Sequence, residues 1–121
     1  MYLPTPRADL LFRALADPTR LRILHFLQHG ELCVGDLVTL LDVPQPTASR
    51  HLAYLRRARL VSAGKRGLWC FYELAPASTA LHEHLLAAVG ICRRSMPGLA
   101  RDAARLGALR KSGGCCPAAK A

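Results

Sequence analysis

The sequence predicts a mainly α-helical fold with one β-hairpin, on three observations. Residues 8–58 carry apolar side chains at spacings of three and four in short blocks, the period of amphipathic helices. Residues 60–74 switch to alternation rich in β-branched and aromatic types around a glycine-flanked turn, the pattern of two paired strands. Residues 45–68 hold six basic side chains and no acidic one. That is the electrostatic footprint of a surface that meets a phosphate backbone, although charge alone also fits a solvated face.

A chain of 121 residues has room for one domain, and 51% hydrophobic content with a mean hydropathy of +0.15 suffices for a packed core. No run approaches eighteen apolar residues, and residues 1–6 lack the charged and apolar regions of a signal peptide. The sequence therefore reads as a soluble, cytoplasmic protein with no membrane partner. Five cysteines, Cys33, Cys70, Cys92, Cys115 and Cys116, are an odd number in such a chain. Reduced thiols open to metal or redox chemistry are expected rather than a disulfide framework.

The elements follow in order. Residues 1–7, with Pro4 and Pro6, form a loose arm. Residues 8–16 place Leu10, Leu11, Ala14 and Leu15 on one side of a short helix. Asp17 as N-cap and Pro18 at the first helical position open a second helix. Its inner residues are Leu21, Leu24, Phe26 and Leu27, it ends near Gly30, and Arg20 and Arg22 fall on its wetter side. A third helix, led in by residues 31–37, runs through Leu41 with Val34, Leu37, Val38 and Leu41 inward. After the break at residues 42–44, the stretch Pro44 to Ala58 puts Ala48, Leu52, Leu55 and Ala58 on one stripe. Thr47, Ser49, Arg50, His51, Tyr54 and Arg57 project elsewhere, and Pro46 suits the first turn, where a missing N–H costs nothing.

A short helix, a tight turn and a second helix with polar first turns make a helix-turn-helix, whose second helix can enter the major groove of DNA. Residues 60–63 and 68–74 form the hairpin, with residues 64–67 as its turn. In that position it is a wing, with Lys65 and Arg66 placed to reach a phosphate or minor groove, or simply sheet cover. Pro76 and Ser78 start a further helix through Leu81, Leu85, Leu86, Val89 and Cys92. Its apolar stripe exceeds what a compact winged helix needs and, with the first helix, would pair two subunits. Pro97-Gly98 interrupts, residues 99–109 form a basic helix, and residues 111–121 read as a flexible tail bearing two adjacent thiols. The expected organisation is a DNA-binding and dimerisation domain over residues 1–96, then a basic helix and cysteine-containing tail over residues 97–121. No Gly-X-Gly-X-X-Gly run or phosphate loop is present, so the chain does not read as an enzyme.

Residues 12–24, 31–37, 45–52 and 69–74 together resemble the ArsR/SmtB family of metal-responsive winged-helix repressors, with weaker similarity to about Cys92. The resemblance implies a homodimer that binds an imperfect palindrome in double-stranded operator DNA and lets go when a soft metal or metalloid occupies cysteines. Gln45, Thr47, Ser49, Arg50 and His51 match the motif that faces the operator. Gln45 and Arg50 have the chemistry to pair bidentately with adenine or guanine edges, and Thr47, Ser49 and His51 to reach bases or phosphates, or to cap and pack. Tyr54, Lys65 and Arg66 complete the expected DNA surface.

The sensor departs from the family pattern. Arsenite-sensing relatives carry three cysteines at the start of the helix before the reading helix, and here only Cys33 stands in that run, with Gly35 and Val38 at the other two places. The zinc sensors' Asp and His pairs are missing around residues 81–85, and no cysteine precedes Cys33 for an N-terminal arm. The vicinal pair Cys115 and Cys116, on a basic tail that favours thiolates, is then the expected core of a metalloid site for an As(III) or Sb(III) species. Cys33 gains from a helix dipole as third ligand, with Cys92 in competition. A site of two sulfurs alone would favour a methylated trivalent arsenical. Cys70 reads as a small core residue. No cofactor is required, and oxidation of the same thiols in place of metal binding is the alternative.

Overall fold

The computed structural model describes residues 7–114. Helix α1, Ala8–Leu15, buries Leu11 and Ala14. Asp17 caps α2, Pro18–Leu27, by accepting the Arg20 N–H at 3.0 Å, with Pro18 in the first turn. The α2 core residues are Ile23, Leu24, Phe26 and Leu27, together with His25. Helix α3, Val34–Leu41, is capped by Cys33 and buries Leu37, Leu40 and Leu41, while Val34 and Val38 are half-buried. A three-residue break leads to α4, Gln45–Arg57, whose Ala48, Leu52 and Leu55 are fully buried, with Ala58 just beyond its end. The stripe expected from the sequence is the face that packs.

The hairpin consists of β2, Val61–Arg66, and β3, Trp69–Leu74. A two-residue strand, β1, Leu32–Cys33, adds to the other side of β3, giving an antiparallel sheet in the order β1-β3-β2. Two sequence-based expectations change here. Residues 32–33 are a strand, held by pairing of Leu32 with Tyr72 and Cys33 with Phe71. The turn is Gly67-Leu68 rather than residues 64–67, because Arg66 pairs with Trp69 and Gly67, at φ +63°, supplies the positive φ that a two-residue turn requires. Extending β2 through Gly64–Arg66 gains ladder pairings that a longer turn would forfeit.

Helix α5, Ala80–Ile91, is capped by the Thr79 hydroxyl and begins two residues beyond Ser78. A single 3-10 turn, Cys92–Arg94, joins it to α6, Pro97–Ser112, which Pro97 opens rather than interrupts. Helix α6 lies against α2 and α3 and buries Leu99, Asp102 and Leu106. Arg22 is not on a wet face. Its Nε donates to Asp102 Oδ2 at 2.8 Å and its Nη2 to Oδ1 at 3.1 Å, and the carboxylate is 6% exposed. The remaining Arg22 donors, with those of Arg105, bind the carbonyls of Thr39, Leu40 and Leu41 at 2.8–3.3 Å. Those are the orphan acceptors at the negative end of α3. None of the helices is long and apolar enough to cross a membrane, among the described residues.

Candidate nucleic-acid interface and its thiols

The outward face of α4 is set by its inward one. With Ala48, Leu52 and Leu55 in the core, Gln45, Ser49, Arg50, Ala53, Arg56 and Arg57 are left exposed and Thr47 half-buried. Basic Arg56 and Arg57 fall in the last turn, where they complement the helix dipole as well as lending positive charge. Planar Arg50 and Gln45, in the first half of the helix, are exposed side chains able to make two parallel hydrogen bonds to one base edge.

His51 and Tyr54 are tied to the protein instead. The Arg20 guanidinium donates to the carbonyls of Ala14 at 2.8 Å and Arg13 at 2.9 Å, lies 3.3 Å from His51 Nδ1, and sits 4.2 Å from the centroid of the Tyr54 ring. Arg57 stacks on that ring more loosely, at 5.7 Å. Asp17 Oδ2 also approaches His51 Nδ1, but at 3.7 Å it is beyond hydrogen-bonding range. A guanidinium only donates, so in a hydrogen bond with Arg20 the His51 Nδ1 is the acceptor. Sequence reasoning put Arg20 on a solvated face; the Asp17–Arg20 capping pair was its only visible signal.

In the wing, Lys65 is exposed, whereas Arg66 forms an ion pair with Glu31, Nη2 to Oε1 2.5 Å, and lies 4.5 Å from the centroid of Phe71. Sequence reasoning gave Glu31 no role, since nothing local signals a pairing across the sheet.

The thiols are unlike one another. Cys33 is fully buried at the N-terminus of α3, where its Sγ accepts the Asp36 N–H at 3.4 Å. Expected as a reduced thiol, it is disulfide-bonded. Cys70 and Cys92 are half-buried and free. Burial first, and the neighbouring Cys70 thiol second, push the Tyr72 phenol above its ordinary value. Cys115 and Cys116 lie outside the described residues. The last described residue, Gly114, however, lies against Asp36 in the turn that Cys33 caps. A side chain at Gly114, where φ is +65°, would come within 2.6 Å of Asp36 Oδ2, in the first turn of α3.

An exposed basic helix on a helix-turn-helix, with a β-wing beside it, defines a DNA-binding transcriptional regulator rather than an enzyme. Residues 17–63 match the family described as "Bacterial regulatory protein, arsR family". The chain is 38% identical over 98 residues to the arsenic resistance transcriptional regulator ArsR1 of Pseudomonas putida, covering 80% of this chain and 75% of that protein. It is 54% identical over 67 residues to the arsenical resistance operon repressor of Escherichia coli, covering 54% of this chain and 57% of that one. Among solved structures, HlyU from Vibrio cholerae superimposes with a TM-score of 0.62 at 36% identity, over 72% of this chain and 88% of that chain. The protein belongs to the arsR family of bacterial regulatory proteins.

Proposed function

We propose that the protein is a homodimeric transcriptional repressor that binds double-stranded operator DNA and releases it when a trivalent arsenical, arsenite or methylarsenite, or an antimony equivalent, engages Cys33, Cys115 and Cys116. One observation supports the sensor: Gly114 packs against Asp36 in the turn that Cys33 caps, and Cys115 is the next residue in the sequence. Once Cys33 is reduced, the helix N-terminus favours a thiolate there, and thiolates are the ligands soft ions prefer. The arsenic resistance regulators among the relatives point to the same effector class. Gln45, Thr47, Ser49 and Arg50 read the DNA, His51 and Tyr54 support them from the Arg20 side, and Lys65 and Arg66 take the phosphates. Dimerisation is supported by two large apolar side chains left exposed on α1 and α5, Phe12 at 54% and Ile91 at 57%.

The test is a titration of the reduced protein, bound to duplex DNA enriched from a random pool, with arsenite, antimonite, methylarsenite, cadmium and zinc. The trivalent arsenicals should weaken binding about 5- to 150-fold, the range of an ordinary allosteric coupling. A Cys115→Ser/Cys116→Ser variant should hold its DNA at the same arsenic concentration. Release of that variant alongside wild type would sink the thiol site and leave the repressor standing.

The disulfide at Cys33 favours a second reading, thiol redox sensing. Two thiols lose two electrons and two protons to an oxidant such as hydrogen peroxide, which is reduced to water. Metal-free protein cycled between peroxide and a reductant separates the two readings, since redox sensing requires that oxidant alone change DNA affinity.

A further inference from the structure

Arg66 is the wing arginine, and it already has a partner. Its side chain is 50% exposed and that of Glu31 34%, so both ends of the ion pair are open to water. The guanidinium is also stacked on Phe71, whose ring is 3% exposed and forms a fixed platform. Neighbouring Lys65 makes no ion pair among the described residues. An arginine whose donors answer to a carboxylate must give up that pairing before it binds a phosphate oxygen, because both anions use the same fork of N–H groups.

We infer that Glu31 is a determinant of DNA affinity: its carboxylate takes the place on Arg66 that a DNA phosphate occupies, so each wing opens against an internal competitor. The inference rests on the reading of the hairpin as a phosphate-contacting wing. An exposed pair of this kind is individually weak, which suits a contact that must exchange. Its location gives it a second use. Glu31 immediately precedes β1, and Cys33 of that strand pairs with Phe71, the residue beneath the guanidinium. A shift of Cys33 toward a ligand therefore moves both supports of the latch. Glu31, Arg66 and Phe71 line a surface cleft together with Glu73, which does not pair with Arg66 and so serves as an internal control.

Phosphate contacts are independent of sequence, so the test needs no operator. Full-length reduced protein is titrated onto a random-sequence duplex of about 30 base pairs, read by fluorescence anisotropy at several salt concentrations. Glu31→Gln should bind roughly three- to tenfold tighter than wild type, the scale of one exposed ion pair per wing. Glu73→Gln should change affinity less than about twofold if removal of a remote charge is all it does. Arg66→Gln should bind more weakly, with a salt slope shallower by about one per wing, and Glu31→Gln/Arg66→Gln should bind no tighter than Arg66→Gln. Circular dichroism melts of each variant confirm that the fold is kept. The latch is overturned if Glu31→Gln binds like wild type, if Glu73→Gln gains as much, or if the gain persists without Arg66. Failure of wild type to bind duplex at any salt overturns the DNA-binding reading and the latch together, whereas the other three outcomes remove the latch alone.

Discussion

His25 and His82 are buried imidazoles, each with one ring nitrogen that finds no partner among the described residues: Nδ1 of His25 and Nε2 of His82. Burial holds both below the ordinary histidine value of 6.5, and for His25 the neighbouring His29 and Arg93 add to the effect while Asp102 opposes it. The unfolded chain therefore takes up more protons than the folded one as pH falls through 6.5. Stability should be flat above about pH 7 and decline below about 6.5, as the folded state resists a charge that the unfolded state accepts. Urea denaturation at a series of pH values checks this, and His25→Leu should reduce the acid sensitivity. Neither histidine was legible as a buried group. In residues 24–27 the imidazole interrupts an apolar run, and only packing of α5 and α6 around α2 shows that it faces inward.

At the scale of elements, the turn between α3 and α4 depends on Asp42, which sits at φ +55° in the left-handed region. Aspartate and glycine tolerate that conformation, whereas a β-branched residue clashes with its own backbone. Asp42→Val should cost about 1–2 kcal/mol and Asp42→Gly little, measured as the shift in urea midpoint at constant slope. The reading helix itself was the most legible element, because Ala48, Leu52, Leu55 and Ala58 state its period without competition from other signals. The hairpin turn was less so. Two glycines flank Lys65 and Arg66, and composition cannot tell a long loop from strands that continue to a tighter turn; the pairing of Gly64 with Phe71 decides it.

The whole molecule is closed by α6. Sequence reasoning found a basic helix there but not its seat, because Arg22 and Asp102 stand 80 residues apart and nothing local pairs them. Leu99 and Leu106 bury against the core while Arg22 and Arg105 hold the end of α3. Removal of residues 97–121 should cost roughly 3–5 kcal/mol, since it uncovers apolar surface and strips a half-buried guanidinium of its carboxylate. Asp102→Ala alone should account for about 2 kcal/mol of that in chemical denaturation. A different consequence follows from Arg20, which grips the last carbonyls of α1, the ring of Tyr54 and the imidazole of His51 with one planar group. In a dimer joined along α1, the angle at which each reading helix leaves the seam is then a rigid property of the subunit interior. Two such helices would act as fixed calipers on the double helix. Inserting even one base pair between half-sites, which turns one of them about 34–36° around the axis, should be poorly tolerated.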